Sequence, residues 1–109
     1  MAQFEIRRAL PQDVQRITEI YNSNTEFLLH HLGRERVDRH FIAREMEEMR
    51  RVGFLSCVLV ERENGRCVGV LDYRPGACVY LSLLMLDAAL RGKGFGTACY
   101  GCLEETLRR

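Results

Sequence analysis

Phe4-Glu5-Ile6-Arg7 alternates apolar and polar residues, the period of a strand with one buried face. The period then lengthens. Val14, Ile17, Ile20 and Tyr21 recur at helical spacing. Pro11 suits the first helical position, and Asp13 suits the first turn, where a carboxylate meets the positive end of the helix dipole. Asn22-Ser23-Asn24-Thr25 stops this helix. From 26 to 37 no period is clear: Phe27, Leu28, Leu29 and Leu32 are apolar, with His30 and His31 between them. Asp38 is placed to cap a second helix, which runs to about residue 51 over Phe41, Ile42, Met46 and Met49 and ends at Gly53. Three strands follow. Residues 54–60 form a continuous apolar run, 67–73 return antiparallel to it, and 78–86 make the third. Asn64-Gly65 predicts a type I′ hairpin turn between the first two, because both residues tolerate positive φ. Pro75-Gly76 makes the next turn. A glycine-dense stretch at 91–97 leads into a last helical run that ends at Arg108-Arg109.

Composition narrows the class. With 109 residues, 47% of them hydrophobic, the chain can build one domain around a modest core. Sixteen basic residues stand against 15 acidic ones, so no global bias draws the chain to nucleic acid or to an anionic membrane. The apolar run at 81–86 is too short to span a bilayer. Met1-Ala2-Gln3-Phe4-Glu5 has neither the basic start nor the apolar core of a signal peptide. The five cysteines (Cys57, Cys67, Cys78, Cys99, Cys102) sit in apolar strand or helix patterns and read as reduced, buried small hydrophobes. A cytoplasmic protein is expected. Two prolines, no low-complexity run and no internal repeat leave a single unit over 1–109.

The chemistry concentrates after the third of those strands. Leu81 to Leu86 are followed by Asp87-Ala88-Ala89-Leu90 and then by Arg91-Gly92-Lys93-Gly94-Phe95-Gly96-Thr97. Strand, glycine turn and helix in that order let successive backbone N–H groups converge on one anion, with the helix N-terminus facing the same point. Arg91 and Lys93 add positive charge, and together these features make a diphosphate cradle. The spacing is not that of a P-loop. It is not the dinucleotide fingerprint either, whose last position falls on Thr97 or Cys99. Cys99-Tyr100-Gly101-Cys102 has C-x-x-C spacing, but no second ligand pair supports zinc, and with Leu103 and Leu107 it reads as a helix face packed on the sheet. His30-His31 lacks the i, i+4 spacing of a helical metal pair, so no metal is expected.

Arg91-x-x-Gly94-x-Gly96 after an apolar strand resembles the R/Q-x-x-G-x-G/A signature of the GNAT superfamily, the acyl-CoA-dependent N-acetyltransferases. The opening Ile6-Arg7-Arg8-Ala9 with its Pro-x-Asp helix, and the Asn-Gly hairpin followed by Val68-Gly69-Val70, resemble the same family. The resemblance implies an α/β fold: a three-layer α-β-α sandwich on a mixed, largely antiparallel sheet. The element order over 1–109 is strand, two helices, three strands and a helix, with the family's C-terminal strands and fourth helix missing. It implies acetyl-CoA as cosubstrate and a small-molecule amine as acceptor, with no metal, nucleic acid or membrane. Backbone groups of Leu84, Met85 and Leu86 are then expected to pair with the pantetheine arm, the Leu86 N–H to polarise the thioester carbonyl, and Arg91, Gly92, Lys93, Gly94, Phe95, Gly96 and Thr97 to hold the pyrophosphate. The family's usual thiolate acid, a tyrosine in the fourth helix, has no counterpart. Asp87, Tyr80, Ser82 and Glu26 are each available as a base, and each is equally readable as structural, so no catalytic residue is assigned. His30-His31 could meet the acceptor or simply face solvent. An unpaired apolar strand at 78–86 would invite a second copy, so a homo-oligomer, a dimer first, is expected. Two other readings remain open: a non-catalytic coenzyme-A-binding module or assembly subunit, and a nucleotide-phosphate-binding domain using the same loop.

Overall fold

The computed structural model describes residues 4–76 and 80–90. Strand β1 (Phe4–Arg8) leads through a 3-10 turn at Pro11–Asp13 into α1 (Val14–Ser23), α2 (Thr25–Leu32) and α3 (Arg39–Arg51). Then β2 (Leu55–Glu61), β3 (Cys67–Arg74) and β4 (Tyr80–Leu86) follow as a meander, with a second 3-10 turn at Ala88–Leu90. The sheet runs β1-β2-β3-β4, every neighbouring pair antiparallel, and it is open. This is an α/β fold, as expected. All pairings among the described residues are antiparallel, in keeping with the largely antiparallel sheet that the resemblance implies.

The helices cover one face of the sheet. Ile17, Ile20, Leu28 and Ile42 from the helices meet Val58, Val60, Val70 and Met85 from the strands. On the opposite face Phe4, Leu59 and Val68 form one buried group, and Cys57 with Leu71 another. Alternation along β4 follows from this: Leu83 and Met85 turn to the helices, Leu84 and Leu86 to the other face. Cys57 and Cys67 are buried free thiols, and burial pushes Cys57 up to about 11, which leaves it unreactive near neutral pH. The other three cysteines lie outside the described residues.

Local chemistry explains the boundaries. Asp38 Oδ1 accepts from Phe41 N at 2.8 Å and caps α3, and Gly53, at φ 90°, releases the chain after it. Asp13 does something other than complement a dipole. Its two oxygens take both Arg7 Nη atoms (2.8 and 2.9 Å), and Oδ2 also accepts from Leu10 N at 2.7 Å. Asp13 is thereby held well below the usual carboxylate range, first by the Arg7 hydrogen bonds, and it fastens the end of β1 to the start of α1. The hairpin also differs from expectation. Only Gly65 has positive φ (72°); Asn64 does not, so the turn is not type I′. Instead Gly65 N donates to Glu61 O and Glu61 N to Arg66 O, a wider loop that the Asn64 side chain closes by accepting from Arg66 N. The longer loop goes with the register shift between Leu59 and Val60. The stretch with no readable period holds α2. Leu28 is fully buried there, while Leu29 and Leu32 remain exposed, which blurs the helical pattern.

Candidate functional site

The site forms where β4 leaves the sheet. Asp87 N donates to Val68 O at 2.9 Å, so Asp87 and Val68 are a hydrogen-bonded pair across β3 and β4. By alternation Met85 and Leu83 also turn their N–H and C=O into the sheet, while Leu84 and Leu86 turn theirs outward. No strand pairs with that outer edge among the described residues. Within 84–86 the groups available to a ligand's backbone-like amides are therefore those of Leu84 and Leu86. Farther back, the register shift against Asp72 and Tyr73 leaves Ser82 as an extra residue in β4, exposed beside exposed Leu81.

Three side chains from the first helical segment hold the exit of β4 in place. Arg16 crosses to it, donating from Nε to Cys67 O at 2.9 Å and from Nη2 to Asp87 Oδ2 at 2.6 Å. Ser23 Oγ accepts from Ala88 N at 3.0 Å and donates to Ile20 O at 2.7 Å. Asn24 Nδ2 donates to Ile20 O at 2.8 Å and to Leu86 O at 2.9 Å. Asp87 also caps its own 3-10 turn, with Oδ1 accepting from Ala89 N at 3.0 Å. Burial pushes the Asp87 carboxyl up, but the Ala89 N–H and the Arg16 guanidinium outweigh it and hold the group below the usual carboxylate range. Gly69 completes the site from behind. A Cβ there would meet Met85 O at 2.9 Å and Leu86 Cδ2 at 3.0 Å, so only glycine lets β4 lie this close to β3.

The sequence-derived candidates fall as follows. Leu84, Met85 and Leu86 stand at the β4 exit. Arg91, Gly92, Lys93, Gly94, Phe95, Gly96 and Thr97 lie outside the described residues. Asp87 is buried and bound to Arg16, an engagement that disfavours it as a base. Ser82 and Glu26 are exposed, and Tyr80 begins β4. His30 and His31 are exposed, with His31 stacked on Phe27 at 4.4 Å between ring centroids. Among the described residues no group of three or more His, Cys, Asp or Glu could hold a metal, and no helix is long and apolar enough to cross a membrane. Arg16, Ser23 and Asn24 are not among the sequence candidates. The one signal for Ser23 and Asn24 is the polar run Asn22-Ser23-Asn24, which reads equally as a helix stop, and Arg16 has none.

Two further features lie nearby. On the helix side of β3, Asp72 faces Tyr21, Glu45 and Ser56 around a void of about 20 Å³. Burial pushes the Asp72 carboxyl up to about 6, partly offset by the Ser56 hydroxyl and reinforced by Glu45, and the same burial pushes Tyr21 up. The Ser56 hydroxyl makes no hydrogen bond of ordinary geometry, so its effect on Asp72 is that of a nearby dipole. Along α1 a groove of about 600 Å³ runs between Glu19, Asn22 and Ser23 on one side and Arg36, Asp38 and Arg39 on the other.

Residues 11–109 match the model of the acetyltransferase (GNAT) family. No curated protein matches the sequence. Among solved structures, the ribosomal-protein-alanine N-acetyltransferase of Brucella melitensis is 30% identical with a TM-score of 0.63, over 92% of this chain and 65% of that one. The yncA protein of Salmonella typhimurium, solved with its cofactor acetyl-CoA, is 26% identical with a TM-score of 0.62, over 97% of this chain and 64% of that one. An acetyltransferase of Thermus thermophilus is 19% identical with a TM-score of 0.72, over 94% of this chain and 68% of that one. This chain thus spans between 64% and 68% of the length of these three proteins.

Proposed function

The chain belongs to the acetyltransferase (GNAT) family, and from that premise we propose that it transfers the acetyl group of acetyl-CoA to the primary amine of a small metabolite or amino-acid-like acceptor. The observation that carries the reading is the outer edge of β4, where Leu84 offers a donor and an acceptor and Leu86 a donor. That set fits the amides of a pantetheine arm followed by a carbonyl oxygen. Acetyl-CoA supplies the activated thioester. The chain's part is to bind and orient it. Leu84 pairs with the arm, and the Leu86 N–H donates to the carbonyl oxygen, where negative charge develops during attack by the amine. Arg91 to Thr97 hold the pyrophosphate through backbone N–H groups and two cations, as the motif implies. The groove beside α1, with Glu19 on one side and Arg36, Asp38 and Arg39 on the other, suits a polar acceptor carrying both an amine and an anionic group.

Calorimetry with acetyl-CoA, ATP and NAD tests the cosubstrate, and release of the free thiol over a panel of amines tests the reaction. Tighter binding of acetyl-CoA is expected; equal or tighter binding of NAD overturns the reading. A second reading, a coenzyme-A-binding module without catalysis, is favoured by the engagement of Asp87 with Arg16, which removes one candidate base. It predicts binding with no thiol release for any amine. Because no strand among the described residues pairs with the β4 edge and Leu81, toward its start, is 37% exposed, a second copy docked about Leu81, short of Leu84, is the expected partner. Light scattering over a dilution series checks this, and a monomer at every concentration sinks it.

A further inference from the structure

Asn24 stands at the N-cap of α2, where an asparagine ordinarily turns its side-chain oxygen back onto the helix's own N–H groups. Here it makes no such cap. Its amide instead reaches out of the helical layer, donating at once to Ile20 O in the last turn of α1 and to Leu86 O in β4. The side chain is buried, with Asn24 only 4% exposed. Beside it, Ser23 Oγ takes the Ala88 N–H. The two neighbours thus grip the chain on both sides of Asp87, at Leu86 O and at Ala88 N, while Asp87 N is fixed to Val68. A helix cap has been given up for a long-range tie.

That tie changes what the edge can bind. A free strand edge offers a donor and an acceptor at every second residue, and another strand satisfies both. At Leu86 the carbonyl already accepts from Asn24, so the N–H is the group left without a partner among the described residues. A lone carbonyl oxygen can take that donor without needing an acceptor in return. From this we infer that Asn24 is the positioning residue of the acyl site: by occupying the Leu86 carbonyl, and with Ser23 holding Ala88, it fixes the Leu86 N–H as a single donor aimed at the acyl carbonyl oxygen of the bound thioester. The inference rests on the acetyl-CoA reading above and adds to it a residue outside the glycine loop.

The test compares acetyl-CoA with free coenzyme A, which lacks that carbonyl. Binding of each is measured by calorimetry to the wild-type chain, to Asn24→Asp and to the milder Ser23→Ala, with melting curves for all three and the Leu86 amide signal followed by NMR. The wild-type chain is expected to favour acetyl-CoA over coenzyme A about fivefold, the share of one hydrogen bond. Its Leu86 amide should shift with acetyl-CoA and not with coenzyme A. Asn24→Asp should lose the preference while its coenzyme A affinity stays within about twofold, and Ser23→Ala should lose part of it. A folded Asn24→Asp, or a folded Ser23→Ala should Asn24→Asp not fold, that keeps the full preference and the Leu86 shift overturns the inference. A wild-type chain that binds both ligands without preference overturns it too and leaves the family activity standing. A wild-type chain that binds neither overturns the underlying reading and this inference with it.

Discussion

Gly69→Ala is the sharpest probe of how the β4 exit is held. The new Cβ would lie 2.9 Å from Met85 O and 3.0 Å from Leu86 Cδ2, about half an ångström inside normal contact. The leucine tip can rotate away. The Met85 carbonyl belongs to the ladder between β3 and β4 and moves only if β4 moves. Overpacking of this kind costs about 1–3 kcal/mol. Against it stands the gain from a less flexible unfolded chain, about 0.4–1 kcal/mol. The net loss is about 1–2 kcal/mol. With an unfolding entropy of roughly 2.1 cal/mol/K per residue over 109 residues, this lowers Tm by about 4–9 °C. Thermal melts followed by circular dichroism give the first readout. Hydrogen exchange gives the second, since the Asp87 amide bonded to Val68 O should exchange faster if β4 is pushed off β3. Acetyl-CoA affinity should fall in step, because Leu84 and Leu86 move with Met85. An unchanged or higher Tm with the Asp87 amide equally protected would falsify the argument that β4 is seated against a bare glycine.

Asp87→Asn leaves Arg16 with only the more exposed Glu19 as counter-charge and should cost about 1–2 kcal/mol at neutral pH, less than a fully buried pair because Arg16 keeps a quarter of its side chain exposed. The Asp87 carboxyl is depressed in the folded state, so its contribution is present above the ordinary carboxylate pKa and lost as pH falls through the folded value; the Tm gap between wild type and variant should close toward pH 3. Asp72 has the opposite sign. Its folded pKa is raised to about 6, so the folded chain is favoured below the ordinary carboxylate pKa and loses that advantage as pH rises through 6. Asp72→Asn should therefore melt higher than wild type at pH 8, by about 1–2 kcal/mol of stability, and level with it near pH 4; a variant that melts lower at pH 8 shows that the charge is satisfied. Gly94→Val should weaken acetyl-CoA binding by more than about tenfold with Tm unchanged, and unchanged affinity in calorimetry places the pyrophosphate elsewhere.

Elements whose signals are local could be read from sequence: Asp38 and Gly53 bracket α3, the apolar runs mark β2 and β3, and Arg91 to Gly96 carry the family resemblance. Three features could not. α2 buries Leu28 but leaves Leu29 and Leu32 in solvent, so no one-sided pattern exists to be found. Asn64-Gly65 speaks for a two-residue turn, yet the slip beside Val60 widens the loop, and that slip depends on the partner strand. The tie from Asn24 to Leu86 joins residues 62 apart and that from Arg16 to Asp87 joins residues 71 apart. A polar residue ending a helix looks the same whether its partner is the next turn or a strand far along the chain.

Those separations also set an order of events. β2, β3 and β4 are successive in sequence and can zip together across short turns, and α3 sits next to β2 along the chain. The ties at Arg16, Ser23 and Asn24 close only after the whole stretch from α1 to β4 has been brought round, against a large loop entropy. They should form late and, being few polar contacts around a short turn, open early. In a chain of this size the edge proposed to receive the thioester is then a region whose shape can be lost while the meander behind it persists. The Asp87 and Ala88 amides should report partial opening before any loss of the sheet, so that loss of binding on warming would precede unfolding.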